Sequence, residues 1–360
     1  MRRGRAIDVH DAARRPEQRP ILADVKPATS LEPHRLSLER VAEAAARIDP
    51  VFLRSPQFVC EPLADRLHCR LTLKVETVNP IRSFKGRGAD YYVLTALERG
   101  ERRALVCASA GNFGQGMAYA CRKHDLPLTV FAARGANPLK LARMRALGAS
   151  VRLSGGDFSA AKEAARAWAG AQDAHFVEDG FEPAISEGAG SIAVELFARG
   201  ATFDVVVVPL GDGALINGMA RWIKATSPAT RVIGVCSRGA PAMHEAWLGV
   251  RDAKAASAPV DTPVDTPLQT IADGIAVRVP IAASLADMRG QVDDVVQVSD
   301  DALIGSMRLI HEHAGLVTEP AGVAGVAAIL EQPDAFAGKS VATVLCGGNV
   351  TPEQIRTWRI

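Results

Sequence analysis

The sequence lacks the features that mark membrane, secreted and nucleic-acid-binding proteins. It has no run of eighteen apolar residues, and its Arg-rich first twenty residues contain no apolar segment, so neither a membrane span nor a signal peptide is predicted. Its 360 residues carry a net charge of only +2. Such a balance argues against nucleic acid or an anionic membrane as the main partner.

Cysteine is sparse as well. Six cysteines stand far apart, at positions 60, 69, 107, 121, 236 and 346, with no C-x-x-C pair and no paired histidine spacing. This pattern argues against a disulfide framework and against a zinc site. It favours a reducing cytoplasm as the location of the protein.

The sequence does contain an alternation of apolar segments and helix-like segments. Predicted strands are 71–76, 104–108, 128–132, 150–153, 175–178, 204–209, 231–235 and 341–345, and predicted helices include 38–48, 90–97, 114–123, 138–147 and 158–169. Apolar strands that alternate with helices indicate parallel sheets covered on both faces, which is an α/β fold. Residues 1–30 are predicted to be a disordered tail. The segment 253–268, which contains Val-Asp-Thr-Pro twice in tandem, is predicted to be a surface loop.

The segment 79–89 places a lysine at the start of a helix. Lys85 lies between Phe84 and Gly86, where a loop that follows a strand turns into a helix. The positive end of the helix dipole and the unpaired backbone donors there hold anions and help to keep an amine deprotonated, which suits a nucleophile. The alternative is a solvated surface lysine, and the motif alone does not decide between the two.

Three further loops follow predicted strands, at the edge where parallel α/β sheets bind ligands. Small residues in 109–116 would let backbone N–H groups and the Ser109 hydroxyl close on a carboxylate. Glycines in 209–218 form a nest of donors suited to phosphate, although the Lys-Ser/Thr pair of a nucleotide-binding P-loop is missing. Plain turns are the alternative for both. In the third loop, 345–350, the Cys346 thiol would point either into the site or into the core.

Together these segments resemble the threonine and serine dehydratases of the tryptophan-synthase-β-like group (fold type II) of pyridoxal phosphate enzymes. The resemblance covers residues 50–352 and rests on ordered motifs: Ser83-Phe84-Lys85-x-Arg87-Gly88-Ala89, Ser109-Ala110-Gly111-Asn112, the 211–214 glycine loop, Thr-Ile-Ala-Asp-Gly-Ile-Ala-Val at 270–277, and Cys346-Gly347-Gly348-Asn349. It implies two domains of parallel-rich sheets flanked by helices, with the site in the cleft between them. A small domain, 103–179, would be inserted in a large pyridoxal-phosphate-binding domain formed by 31–102 and 180–360.

The resemblance also implies a role for each residue of the site. Lys85 would form the Schiff base with pyridoxal 5'-phosphate and later remove the Cα proton of the substrate as general base. Phe84 would lie beside the cofactor ring, Asn112 would bind its 3-hydroxyl group, and Cys346 would face its pyridine nitrogen. The phosphate would be held by backbone donors of Gly211, Asp212, Gly213 and Ala214, and the substrate carboxylate by Ser109, Ala110, Gly111 and Asn112.

Two residues favour elimination over other reactions of this cofactor. A neutral thiol at Cys346 cannot keep the pyridine nitrogen protonated as an aspartate would, which suits β-elimination better than transamination. Serine racemases of this group carry a second acid/base, a serine, at the position of Ala110, and alanine cannot transfer a proton. The implied activity is an ammonia-lyase that converts L-threonine, L-serine or a related β-hydroxy amino acid to a 2-oxo acid and ammonia.

Other functions remain open at this point. One is a threonine-synthase-like or diaminopropionate-ammonia-lyase-like enzyme that catalyses β- or γ-elimination or replacement, and another is a cofactor-binding protein with little turnover. Little turnover is considered because Asp212 and Ala214 interrupt the four glycines that are usual in the phosphate loop. Since an aspartate would repel a dianionic phosphate, Asp212 is predicted to point outward. The predicted partners are a small amino-acid substrate and, because relatives are commonly dimers, a second copy of the chain.

Three further observations concern the surroundings of the site, and the first two are departures from the family. Ile81-Arg82 replaces the usual Thr-Gly before Ser83, and Arg82 would either add a charge near the substrate or lie on the surface. The family's optional divalent-cation site has acidic residues where Cys236 and Ala242 stand here, so no metal is predicted at that site. Glu187 would either contact a polar or cationic side chain near the substrate or be a solvated loop residue.

Overall fold

The computed structural model describes residues 34–252 and 268–360. The predicted tail and nearly all of the predicted 253–268 loop lie outside these residues. The strands within them are β1 Gln57–Val59, β2 Arg70–Val75, β3 Leu105–Ala108, β4 Leu128–Ala132, β5 Ser150–Leu153, β6 His175–Phe176, β7 Val205–Pro209, β8 Arg231–Ser237, β9 Asp294–Val298 and β10 Ser340–Leu345.

Helices connect most of these strands. They are α1 Leu38–Arg47, α2 Glu61–Leu67, α3 Lys85–Glu98, α4 Asn112–Lys123, α5 Pro138–Ala146, α6 Phe158–Ala171, α7 Pro183–Leu196, α8 Ala214–Thr226, α9 Ala242–Asp252, α10 Ala282–Met288, α11 Asp300–Ala314, α12 Ala324–Glu331, α13 Pro333–Phe336 and α14 Pro352–Trp358. Short 3₁₀ turns occupy Ala198–Gly200, Asp273–Ile275 and Pro320–Val323. The third helix begins at Lys85 itself, earlier than the predicted 90–97.

The strands form two sheets, and the predicted α/β fold is confirmed. The larger sheet has the order β1-β2-β10-β7-β8-β9 and is parallel except for the pair β1–β2, and the smaller sheet, β5-β4-β3-β6, is parallel throughout. All strands of the smaller sheet fall within 103–179, the range predicted for the inserted domain, whose boundaries remain predictions. The sequence missed β1 and β9, which are the two edges of the larger sheet, where strands are shorter and more polar.

The central strands of the larger sheet have no solvent face. In β7, Val206 and Val208 pack in one apolar cluster while Val205 and Val207 pack in another. Because successive side chains of a strand point to opposite faces, the two clusters lie on opposite sides of the sheet. This is the fully covered parallel sheet that the apolar strands predicted.

Close packing between α3 and α7 fixes the helix that begins at Lys85. A Cβ atom on Gly88 of α3 would lie 2.5 Å from the carbonyl oxygen of Ile185, and one on Gly188 of α7 would lie 2.8 Å from the Cα of Gly88. Neither approach is possible with a larger residue, because the neighbouring atoms are backbone. The glycine of the lysine motif is therefore required for packing.

A buried arginine connects the same helix to α7 and to the end of β2. Arg87 is fully buried; its Nε and Nη2 donate to the two carboxylate oxygens of Glu76 at 2.9 and 2.8 Å, and its Nη1 donates to Glu195 at 2.7 Å. Lys74 adds a second cation, 2.6 Å from Glu195. Burial by itself would raise the pKa of Glu195, but Arg87 and Lys74 lower it below its usual value. Two cations and two carboxylates therefore balance in the interior.

We expect Arg87→Met to destabilise the protein by about 3–5 kcal/mol, because the buried Glu76 would lose its counter-charge. The free energy of unfolding in urea measures the loss. Arg99→Met is the matched control, since the Arg99–Glu101 pair is exposed and its removal should cost less than about 1 kcal/mol. Equal losses in the two variants would show that the buried pair contributes no more to stability than the exposed pair does.

Candidate active site

The loop before Lys85 is bonded to the loop that follows β10. The N–H of Phe84 donates to the carbonyl of Cys346 at 3.1 Å, and the Ser83 hydroxyl donates to the same oxygen at 3.2 Å. Ser83 also forms a β-bridge with Gly347. Since β2 and β10 are adjacent and parallel, their C-terminal loops meet at one edge of the sheet, and the two sequence motifs become one structural unit.

The Lys85 amine lies in an acidic and partly enclosed environment. Its Nζ pairs with Asp179, in the loop after β6, and lies 4.7 Å from the centre of the Phe84 ring. The second oxygen of Asp179 is buried without a hydrogen-bond partner among the described residues. Sequence reasoning missed Asp179, since a single acid in a polar loop gives no signal.

The predicted carboxylate loop stands at the start of α4 and reaches the same place. The Ser109 hydroxyl accepts the N–H groups of Gly111 and Gly114 at 3.2 and 2.9 Å, which holds the loop in shape. Asn112 donates from Nδ2 to Glu319 and accepts at Oδ1 from Asn349 at 2.8 Å. The loops after β3 and β10, which belong to different sheets, are thus joined through the side chain of Asn112.

Two buried charged residues beside this loop were not predicted from the sequence. Lys140 of α5 is 3% exposed and pairs with Asp273 at 2.6 Å, while its distance to Glu319 is 3.7 Å. Burial raises the pKa of Glu319 although the charge of Lys140 opposes that shift. The sequence could have pointed to Glu319, because it is a single acidic residue directly before an apolar stretch of small residues. Nothing in the sequence distinguishes Lys140, because it occurs in an ordinary helix.

The loop 211–214 has the geometry of a phosphate cradle. Gly213 has a φ of 94°, and a Cβ atom there would lie 1.9 Å from the Ser284 hydroxyl. The backbone N–H groups of Asp212, Gly213 and Ala214 have no hydrogen-bond acceptor among the described residues. Ala214 begins the 13-residue helix α8, so these donors stand at the positive end of its dipole. Free donors at a helix N-terminus, on a turn that leaves no room for a side chain at Gly213, fit a bound phosphate.

The outward orientation predicted for Asp212 stays a prediction. Burial raises the pKa of its carboxyl to about 6, and the charge of Asp179 adds to the rise while Lys85 and Lys162 oppose it. The residue is partly exposed. The loop after β6 packs against its backbone, since a Cβ atom on Gly180 would lie 2.3 Å from the Asp212 carbonyl oxygen.

The remaining predicted positions have different outcomes. Cys346 is buried, its thiol donates to the Ala321 carbonyl at 3.6 Å, and burial raises its pKa, so the thiol is neutral.

Glu187 is neither solvated nor in a loop. It is a buried residue of α7 that accepts the Ser37 N–H at 3.0 Å and pairs with Arg40 at 3.0 Å. It therefore stabilises the start of α1, outside the site.

Arg82 lies on the surface at the edge of the site, with its side chain exposed.

In the described parts of the chain, no group of three or more His, Cys, Asp or Glu residues is arranged to hold a metal ion. Within the same residues, no helix is long and apolar enough to cross a bilayer. All six cysteines are free and buried.

Comparison with known proteins agrees with this geometry. The family model for "pyridoxal-phosphate dependent enzyme" matches residues 48–347. An L-threonine ammonia-lyase from Thermotoga maritima is 33% identical over 320 residues, which is 89% of this chain and 77% of that protein. A solved threonine deaminase from T.th. has 31% identity and a TM-score of 0.79, and the match covers 88% of this chain and 99% of that one. A solved pyridoxal 5'-phosphate-dependent aspartate racemase has 25% identity and a TM-score of 0.80, covering 90% and 99%.

The family match extends over both sheets and over the loops that contain Lys85, Asn112 and Gly213. A lysine at the start of α3, a cradle of free backbone donors and a neutral strand-end thiol are what the cofactor of such enzymes requires. The chain belongs to the pyridoxal-phosphate-dependent enzymes and is a threonine-dehydratase-like member of fold type II.

Proposed function

We propose that this protein is an ammonia-lyase that converts L-threonine, L-serine or a related β-hydroxy amino acid to a 2-oxo acid and ammonia by α,β-elimination. The observation that carries the proposal is the convergence of three groups at one edge of the sheets. They are the amine of Lys85, the free donors of 212–214, and the small-residue loop 109–112. Elimination needs a base, an anchored cofactor and an anchored carboxylate, and each of these groups supplies one.

Pyridoxal phosphate, when bound, would supply an electron sink conjugated to the Cα atom of the amino acid. Backbone donors of Asp212, Gly213 and Ala214 would hold its phosphate. Asn112, already fixed by Glu319 and Asn349, would offer its amide to the 3-hydroxyl group. The neutral thiol of Cys346 would leave the pyridine nitrogen without a strong acid, which would favour loss of the β-hydroxyl over transamination.

Lys85 moves the proton in this scheme. Its amine must be neutral before it can attack a carbonyl or abstract a proton. Asp179 is in contact with the amine and positions it. The second oxygen of Asp179 has no hydrogen-bond partner among the described residues.

We expect the purified protein loaded with cofactor to release a 2-oxo acid from L-threonine or L-serine. Lys85→Ala should lower kcat at least about 1,000-fold and remove the visible absorbance of the lysine-bound cofactor, because both attachment and proton transfer use this amine. Absorbance spectra and a coupled 2-oxo acid assay measure the two effects. A lysine-bound spectrum that survives in Lys85→Ala would contradict the role of Lys85.

The alanine at position 110 predicts turnover without racemisation. The wild-type protein should produce no D-serine from L-serine, whereas Ala110→Ser should produce a measurable amount, because a hydroxyl can return a proton to the face opposite Lys85. Chiral chromatography of the reaction mixture measures the enantiomers. Ala167→Ser, an exposed change on α6, is the control. D-serine made by the wild-type protein would refute the single-base scheme.

Asp212 should weaken cofactor binding in a pH-dependent manner. Its pKa of about 6 lies above the ordinary value of 3.8, so the carboxyl is charged and repels phosphate above pH 6 and becomes neutral below it. We expect Asp212→Asn to lower the Kd for pyridoxal phosphate about tenfold at pH 8, with the difference from wild type shrinking at pH 5. Spectroscopic titration measures Kd, and exposed Asp65→Asn is the control. An identical ratio at both pH values would contradict the assignment.

A further inference from the structure

Arg82 has a backbone conformation that favours glycine. Its φ is 52°, in the left-handed region where a residue with a side chain is strained. The turn is fixed by two hydrogen bonds, from the N–H of Arg82 to the Asn79 carbonyl at 3.0 Å and from the N–H of Gly348 to the Arg82 carbonyl at 2.9 Å. Glycine would fit this turn without strain, so the backbone gives no reason for an arginine.

The turn of Arg82 borders the carboxylate loop through Asn349. The Asn349 amide donates to the carbonyl of Ile81 and to Oδ1 of Asn112, both at 2.8 Å. Its Oδ1 atom accepts a hydrogen bond from Nη1 of Arg143, in α5. The Arg82 turn, the Arg143 guanidinium and the predicted substrate loop therefore meet at one amide side chain.

Neither arginine is neutralised within the described part of the chain. No carboxylate there forms an ion pair with Arg82 or Arg143. Burial lowers the pKa of Arg143, and the charge of Arg82 lowers it further. Glu319 also acts on Arg143, but it is already engaged by Asn112 and Lys140. At this edge of the site, two arginines therefore stand without an ion-pair partner among the described residues.

We propose that Arg82 and Arg143 form a second anion subsite, and that the substrate is a β-hydroxy amino acid whose side chain ends in a carboxylate. The proposal deepens the ammonia-lyase function and rests on it. Loop 109–112 takes the α-carboxylate, and the arginine pair takes the second carboxylate in the bidentate manner that guanidinium groups favour. A substrate anion at this place also relieves the repulsion between the two arginines.

The chemistry balances for the simplest such substrate, 3-hydroxyaspartate. Elimination breaks the Cα–H and Cβ–O bonds and releases water, and the resulting enamine takes up water again as the C–N bond breaks. The products are ammonia and a four-carbon 2-oxo dicarboxylate, with no oxidant or reductant consumed. The general base is Lys85, as for serine or threonine.

The test compares L-aspartate with L-asparagine, which have the same shape, differ in charge and lack the β-hydroxyl group. Titration of the holoenzyme, followed by the cofactor absorbance, gives a Kd for each. We expect aspartate to bind about tenfold more tightly than asparagine, and this ratio to fall towards one in Arg82→Gly and in Arg143→Gln. The melting temperature of Arg82→Gly should not fall below that of wild type, because the turn favours glycine.

The chain offers a matched control in Arg54. This arginine is also exposed and has a φ of 53°, but its N–H donates to Glu195, in the network around Arg87 and away from the substrate loop. Arg54→Gly should keep the aspartate preference of the wild type. In turnover, the ratio of kcat/KM for 3-hydroxyaspartate to that for L-serine should fall about tenfold in Arg82→Gly and stay constant in Arg54→Gly.

The binding and turnover experiments separate the two proposals. Equal affinity for aspartate and asparagine in the wild type, or a preference that survives Arg82→Gly, overturns the subsite even when L-threonine is deaminated. An aspartate preference that is lost in Arg82→Gly supports the subsite. If that result occurs without 2-oxo acid from any hydroxy amino acid, the ammonia-lyase proposal fails while the subsite stands.

Discussion

The site depends on the buried contact between Arg87 and its two carboxylates. Glu76 directly follows β2, Arg87 lies in the first turn of α3, and Glu195 lies in the last turn of α7. One guanidinium group therefore fixes a strand end and two helices to one another, two residues from Lys85. Because an unpaired charge cannot be tolerated in this interior, the arrangement has few alternatives, and the amine of Lys85 is carried on a rigid support.

The parallel order of the sheets explains why the functional loops converge. Strands β2, β10 and β7 are neighbours, so the loops that contain Ser83, Cys346 and Gly213 leave the sheet at the same edge. The loop after β3 approaches from the smaller sheet and is joined to them through Asn112 and Glu319. A second contact between the elements around the two sheets is the ion pair of Lys140 with Asp273. The loops from the two sheets are therefore connected by polar side-chain contacts.

Local patterns were sufficient to predict much of this arrangement. Apolar runs predicted the buried strands, and small residues at strand ends predicted the loops, because both follow from neighbours in sequence. The burial of Glu187 was not predicted because it depends on a distant segment, in which Ser37 and Arg40 supply its partners. Asp179 and Lys140 likewise acquire their roles only through contacts across the fold, which no local pattern reports.

The burial of the cysteines has a consequence for how the cofactor is captured. Aldehydes react with thiolates as well as with amines, and a protein with six cysteines offers six competing sites. Here every thiol is buried, and burial raises the pKa of Cys107, Cys121, Cys236 and Cys346, so few of these thiols are present as the reactive thiolate. The aldehyde of the cofactor would therefore react with the Lys85 amine without competition from a thiolate. Burial of the cysteines thus makes the fold selective for attachment of the cofactor at Lys85.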